Sequence, residues 1–575
     1  MKKLFLSTLA ILLCLSAFVL IACNGDDSTT TANKTVPTFE IINPAGLKTS
    51  VKFEIKETDP DGVGEIKSIE LYCGRVKVQT ANDTSIRTFS DLYAETTYTV
   101  KVTYVYDIQN GEGEKTDSVS LDIKTTNGFS SKTNIKTDWS GKTLNIACSI
   151  WHSEPSAPWS VLELCVDYGK ESGFGTKIDA AVLERQEFIK ETYGVDLNWI
   201  NATRYGMHDV LEEAIISGNV YYDLALPRAM RVQSIVANGS VYDLKDRQYI
   251  DFDNSFYNKD SVETYTAKGH TFFVDGDFSI LGKETAYVLY FNKILLGGEQ
   301  ATKDLYQKVR ENKWTYDDLV ALASAAYKDD GDGIKEQDDI YGLNNDYSLE
   351  LLFQCFGVKN AQANKETGEW TATFKNSKTN DIVEIIASVS SASYARGMWI
   401  TGYGMNDYAT ALTNATMLFY NSYIGDFQLK AFENIGVVPF PMLNADQGRY
   451  FVFTDSSAKM VLMCIPKNTQ DRSMSEYFLD VLSWTGKEYT MKAYLDQKAD
   501  EFETDVEIEM LTDYVFPNII YDAGVAVDWG DLFSSVENYA KYGVERFTEK
   551  YNEAEPGALE TLAKWNTAWG AYKES

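Results

Sequence analysis

The chain changes its hydrophobic period once, near residue 128, and this change divides what it can fold into. From Thr38 to Thr125 apolar and polar residues alternate in short runs, SVKFEIKET, IKSIELYCG, TYTVKVTYVYD and DSVSLDIKT, parted by the turn formers DPDGVG and QNGEGE. A period of two puts every second side chain on one face, so these runs predict the strands of a small all-β sandwich. Past the joint TTNGFSSKTNIKTDWSGK the pattern becomes strand, helix, strand. TLNIACSI reads as a buried strand, and KIDAAVLERQEFIKETYG sets Ile178, Ala181, Val182, Phe188 and Ile189 on one helical face before Gly194. VDLNWI, HDVLEEAIISG and YDLALP repeat the alternation, while ATMLFY, IGVVPFP and KMVLMCIP supply further strands. Such alternation predicts α/β architecture with a parallel sheet. About 430 residues exceed what one such sheet organises, so two lobes are expected.

At the amino end Lys2 and Lys3 precede the apolar run Leu9 to Ala22, the layout of an export signal, with a transmembrane anchor as the alternative. Leu20-Ile21-Ala22-Cys23 resembles the bacterial lipobox. That resemblance implies a signal peptide over 1–22, lipidation of Cys23, and a chain anchored to the outer face of a bacterial cell membrane. The following NGDDSTTTANKT is small and polar and predicts a flexible tether over 23–36. The remaining boundaries are expected at 37–126 for the sandwich, 127–141 for a linker and 142–575 for the lobed body.

The balance of 53 basic against 84 acidic residues, a net charge of −31, excludes nucleic acid as a natural partner. Beyond Cys14 and Cys23, the cysteines at 73, 148, 165, 355 and 464 show no CxxC spacing, so neither a zinc site nor a disulfide framework is indicated. Buried free thiols are expected, with a bridge such as Cys148–Cys165 as the alternative. His152, His208 and His270 fall in no metal-binding motif, and no GxSxG elbow or phosphate loop occurs. Paired carboxylates for glycoside hydrolysis cannot be picked out of so acidic a chain, which keeps an extracellular glycan hydrolase as the alternative to a binding protein.

Two stretches carry family resemblances. Leu92-Tyr-Ala-Glu-Thr96-Thr-Tyr98-Thr-Val100-Lys-Val102 resembles the fibronectin type III pattern, with Ala94 in place of the usual proline. This implies a scaffold role for Tyr98 and a spacer domain, with a glycan- or protein-binding module as the alternative. YVLYFNKILL, followed by LYQKVRENKWTYDDLVALASAAYKDDGDGIKEQDDIYGL, resembles the family 1 extracellular solute-binding proteins of ABC importers. GSVYDLKDRQYIDF upstream, and PFPM and IPKNTQD downstream, fall in that family's order. The resemblance implies a two-lobed periplasmic-binding-protein-like fold and a monomer, not an enzyme, that closes over a ligand and presents it to permease subunits. Within it, Thr315 and Asp318 read as a helix cap and Trp314 as a staple to the sheet, structural residues all.

KDDGDGIKEQDDIYG, 328–342, looks at first like a calcium loop. With Gly333 in the turning position, Asp332, Asp330 and Asp339 take the fifth, third and twelfth places, but Lys328 occupies the first and cannot ligate. A loop one residue short lets Asp329 stand in. No cofactor is required by this reading; Asp329, Asp330, Asp332 and Asp339 are the candidate calcium ligands, set against a merely solvated acidic loop.

Ligand contacts are expected in loops beyond the carboxyl ends of sheet strands. SIWHSEPSAPW offers Trp151, Glu154 and Trp159 beside His152; the loop at YDLALP offers Asp223 and Arg228; YNSYIGDF offers Tyr420, Asn421, Tyr423 and Asp426. ARGMWITGYGMNDY adds Arg396, Trp399, Tyr403 and Asp407. Aromatic faces beside carboxylates and amides suit the apolar face and hydroxyl rim of a sugar. An oligosaccharide is therefore the expected ligand, and a peptide the competing class.

Overall fold

The computed structural model describes residues 34–46, 50–81, 83–90, 92, 96–125, 139–149, 176–202, 206–335, 339–344, 351–396, 406–426, 433–455, 460–532 and 536–574. The chain forms two compact units, residues 1–127 and 128–575.

Among its described residues the first unit holds seven strands: β1 (Thr38–Gly46), β2 (Val51–Thr58), β3 (Gly64–Cys73), β4 (Val76–Thr80), β5 (Thr88–Phe89), β6 (Thr97–Tyr106) and β7 (Lys115–Lys124). They pair antiparallel into two sheets, in the orders β1-β2-β5 and β4-β3-β6-β7. Alternation works as the sequence implies: on β6, Tyr98, Val100 and Val102 point inward and join Val51, Phe53, Ile69 and Leu71 in one core. Tyr98 is buried there, as a scaffold residue would be.

In the second unit the first sheet is parallel, built from β8 (Thr143–Cys148), β9 (Asp196–Asn201) and β10 (Leu224–Leu226), in the order β10-β8-β9. Helices α1 (Thr176–Tyr193) and α2 (Met207–Ser217) stand before β9 and β10 in the chain. The run KMVLMCIP, expected as a strand, only brushes this sheet through isolated bridges of Cys464 to Ala225 and Val461 to Arg228.

The second sheet contains β11 (Tyr287–Asn292), β12 (Tyr341–Asn344), β13 (Ala395–Arg396), β14 (Met417–Tyr423) and β15 (Ile435–Val438), in the order β13-β12-β14-β11-β15. It is mixed rather than parallel. β12 runs parallel to β13 and β14, whereas β11 pairs antiparallel with both β14 and β15. The reason is the route of the chain: β11 is entered directly from a connection that comes over from the first sheet, at the end where its neighbours finish.

Among the described residues, two segments lie side by side on this route. Ala286 bridges Thr454 in antiparallel fashion, and Asp455 N–H donates to the Thr285 carbonyl at 3.1 Å. Helix α3 (Tyr316–Ala326) begins at the expected cap, where Asp318 Oδ2 accepts from Thr315 N–H at 3.2 Å and from its hydroxyl at 3.0 Å. Trp314, fully buried, donates to the Pro439 carbonyl at 3.2 Å, which fixes the helix to the second sheet.

After the sheets come long helices, but not unbroken ones. Arg472–Thr485 passes through a π-helical turn, Gly486–Met491, into Lys492–Glu501. Gly486 packs so closely that a Cβ there would lie 1.9 Å from the Asp277 carbonyl oxygen, so the turn has room for glycine and for no larger residue. The last helix, α4 (Val544–Gly570), buries Trp565 and Trp569 against Trp370, and Trp569 also meets Phe272. Among the described residues no helix is long and apolar enough to cross a membrane.

Candidate functional site

The carboxyl ends of β12, β13 and β14 lie side by side, so the residues that close these strands are brought together. Asn344 ends β12 and is buried, and Asn421, on β14, is half-buried. Their amides interlock: Asn421 N–H donates to Asn344 Oδ1 at 2.9 Å, and Asn344 Nδ2 donates to Asn421 Oδ1 at 3.3 Å. Asn344 was not among the expected site residues. The signal available was a strand-ending asparagine in YGLNND, which becomes meaningful only once its neighbour is known.

Strand alternation places Asn421 and Tyr423 on one face of β14 and sends Tyr420 to the other. Tyr423 hydroxyl donates to Asp455 Oδ2 at 3.1 Å, and its ring meets Tyr287 edge-on, with centroids 3.9 Å apart. Burial, with Tyr287 and Asp455 beside it, holds this phenol far above its ordinary range, so it stays a neutral donor. Asp455 belongs to the connecting segment, so Tyr423 ties the end of the second sheet to the crossing point. The turn Ile424–Asp426 is drawn to the same place. Ile424 N–H donates to the Ala286 carbonyl at 3.1 Å, and Gly425 lies so near Glu284 that a Cβ would come within 2.4 Å of its carboxylate.

Arg396, at the end of β13, is 1% exposed, with its guanidinium 5.2 Å from the centre of the Tyr341 ring. In the first sheet Arg228 follows the carboxyl end of β10 and is buried as well. Asp223 is placed differently from expectation. It precedes β10, at the amino end of the strand, where it is buried and accepts from Asn145 N–H at 2.8 Å and Thr469 hydroxyl at 2.9 Å. Both contacts are structural, and burial raises its carboxyl above the usual range against these donors.

Cys23, Trp151, Glu154, Trp159, Trp399 and Tyr403 lie outside the described residues. Asp407 sits in the helix Asn406–Thr413 and Asp426 in the turn after β14, with their side chains outside the description.

Beside Asn421 is a small cavity lined by Tyr287, Leu351, Leu352, Cys355, Asn421 and Phe440, with apolar walls. Leu351, Leu352 and Cys355 come from the short helix Leu351–Cys355. Burial pushes the Cys355 thiol up to about 12, so this wall is an uncharged S–H.

The acidic loop between α3 and β12 gathers Asp329, Asp330 and Asp332, whose carboxylate oxygens come within 4.8 Å of one another at the surface. Asp329 Oδ1 accepts from Gly331 and Gly333 N–H at 2.7 and 3.2 Å, folding the loop on itself. Asp339 stands apart: it is fully buried and accepts from Asp330 N–H and the Tyr341 hydroxyl, each at 3.1 Å. The three exposed carboxylates are therefore the groups available to a cation, while Asp339 braces the loop against Tyr341 and, through that ring, Arg396.

No protein-family model matches the sequence, and no curated protein matches it. Among solved structures, the chain is similar to a cyclo/maltodextrin-binding protein complexed with maltotetraose, at 13% identity and a TM-score of 0.48 over 73% of this chain and 97% of that one. An extracellular solute-binding protein from Staphylococcus aureus in complex with maltose gives 11% identity and a TM-score of 0.46, covering 73% and 98% of the two chains. MalX from Streptococcus pneumoniae in complex with maltopentaose gives 15% and 0.41, covering 73% and 100%.

Proposed function

We propose that the chain is an extracellular solute-binding protein, lipid-anchored at Cys23, that captures an oligosaccharide for an ABC importer. The observation that carries this reading is the meeting of Asn344, Asn421 and Tyr423 at the carboxyl ends of neighbouring strands, next to the two segments that join the sheets. Amides and a neutral phenol are the donors and acceptors that sugar hydroxyls require. Their position beside the crossing segments lets a bound ligand bias how the two sheets sit, which is how such receptors signal occupancy to a permease.

The order of sequence motifs from YVLYFNKILL to IPKNTQD supports the same reading. Trp151 and Trp399 follow β8 and β13 in the chain, and we assign them as stacking platforms, with Glu154, Trp159, Arg228, Arg396, Tyr403, Asp407 and Asp426 as further contacts. The first unit serves as a fibronectin type III-like spacer, a reading supported by its strand order and by buried Tyr98.

Calorimetry on residues 24–575 with oligosaccharides and peptides tests the proposal. Stoichiometric sugar binding that weakens in Asn421→Ala is expected. Binding of peptides alone, or turnover of the sugar, overturns it.

A further inference from the structure

A hairpin of two short strands, Ala361–Ala363 and Trp370–Ala372, lies in the chain between β12 and β13, so it belongs to the part that builds the second sheet. Yet it rests on the part that builds the first. Residues 259–274 lead to Val274, which bridges Met463, and Cys464 in turn bridges Ala225 of β10. Against this segment the hairpin and its stem set a backbone bond and three ion pairs. Lys268 N–H donates to the Gly368 carbonyl at 2.7 Å, and Gly368, at φ +69°, approaches so closely that a Cβ would lie 3.1 Å from that nitrogen. Lys268 pairs with Glu369 at 2.5 Å, and Lys365 with Glu263 at 2.9 Å. In the stem, Lys359 Nζ donates to both oxygens of Asp260, at 2.9 and 3.1 Å, and to the Thr264 hydroxyl at 2.9 Å.

The stem stands next to the crossing. Asp260 Oδ2 also accepts from Tyr521 N–H at 2.7 Å, and Tyr521 follows Ile519–Ile520, the strand paired with Val452–Phe453 just ahead of Thr454. Farther out, α4 holds the hairpin from a second side. Trp370 N–H donates to Asn566 Oδ1 at 2.7 Å, and its carbonyl accepts from Asn566 Nδ2 at 3.0 Å, while Trp569 of the same helix meets Phe272 in the segment below. Crossing segments by themselves leave two bodies free to rock, and a contact that fastens a hairpin of one body to the other resists that motion. The ion pairs differ in strength. Lys359 and Asp260 have side chains only 13% and 21% exposed, whereas Lys365 and Glu263 are 87% and 65% exposed and count for little in water.

We propose that this hairpin is a strap that sets the angle between the two sheets, held chiefly by Lys359 on Asp260 and Lys268 on Glu369, and loosened by salt. It goes beyond the receptor reading and holds whatever the chain binds. In a receptor, a ligand that draws the sheets together works against these contacts, so their strength enters its affinity.

Double electron–electron resonance on residues 24–575 tests the strap, with spin labels carried by p-acetylphenylalanine at Ile216 on α2 and at Ile294 after β11, both exposed positions. Raising salt from about 0.05 M to about 1 M, where the Debye length falls to about 3 Å, should broaden the distribution of distances between the labels. Lys359→Met and Lys268→Glu should each broaden it already at low salt. Lys268→Glu combined with Glu369→Lys should narrow it again, a rescue that general loss of folding does not give. Distributions that match across salt and across every variant overturn the inference, as does broadening by Lys268→Glu that Glu369→Lys leaves untouched.

Discussion

The hydroxyls of Thr285 and Thr454 lie 2.8 Å apart, both buried, at the point where the two connecting segments pass between the sheets. Each has a second partner: Thr285 donates to the Leu281 carbonyl at 2.7 Å, and Thr454 to the Gly282 carbonyl at 3.0 Å. A proton held by either hydroxyl serves only one bond at a time, so the pair is an adjustable link at the crossing. Thr454→Val keeps the shape and removes the hydroxyl, leaving the Gly282 carbonyl without this donor. It should cost about 1 to 3 kcal/mol of stability, read as a lower denaturant midpoint with unchanged slope.

Asn421→Ala should separate binding from folding. The backbone bond from residue 421 to Asn344 Oδ1 survives the change, while the weaker 3.3 Å amide contact is lost. A stability cost of about 1 kcal/mol is expected, with sugar affinity falling about tenfold. Thermal melts and calorimetry on the same sample check both.

Asp275 should give stability a distinct pH dependence. Burial pushes its carboxyl up from 3.8 to about 6, against the opposing pull of Lys283 and of the Tyr521 hydroxyl bonded to it. Asp277, paired with Lys283 at 2.6 Å, adds to the upward shift. Between these two values the unfolded chain releases the proton while the folded chain retains it. The stability tied to Asp275 is thus fully present below pH 3.8 and is lost as pH rises through about 6. Asp275→Asn cannot titrate, so the wild-type-minus-variant stability difference should fall by about 3 kcal/mol across that window. A flat difference across a pH series of urea melts would remove Asp275 as its source.

Asp223→Ala should act on folding alone. It strips Asn145 N–H and the Thr469 hydroxyl of their acceptor at the amino end of β10, away from the strand ends that carry the proposed site. A loss of about 2 to 3 kcal/mol is expected. Sugar affinity measured well below the melting temperature should match the wild type.

In the acidic loop, calcium uptake should depend on Asp332 but not on the integrity of Asp339 as a ligand. Asp332→Ala should abolish whatever calcium heat is seen, whereas Asp339→Asn should chiefly lower the melting temperature, because its oxygens brace Asp330 and Tyr341. Tight calcium binding that survives Asp332→Ala would place the ion elsewhere.

The sequence by itself determined the local elements. Period-two runs became β2, β3, β6 and β7, the Thr315 and Asp318 pair capped α3, and Trp314 was legible as a staple. These features depend on residues a few positions apart, whose preferences act within a single turn or pleat. Only the tertiary structure decided which strand ends share a surface. Asn344 and Asn421 are 77 residues apart, and Thr285 and Thr454 are 169 apart. It likewise placed Asp223 at the amino end of its strand, divided Tyr420 from Asn421 and Tyr423, turned β11 against its neighbours, and took Asp339 out of the exposed carboxylates. A period fixes which residues share a face of one strand, but strand order and direction come from packing the whole core, which no local pattern encodes.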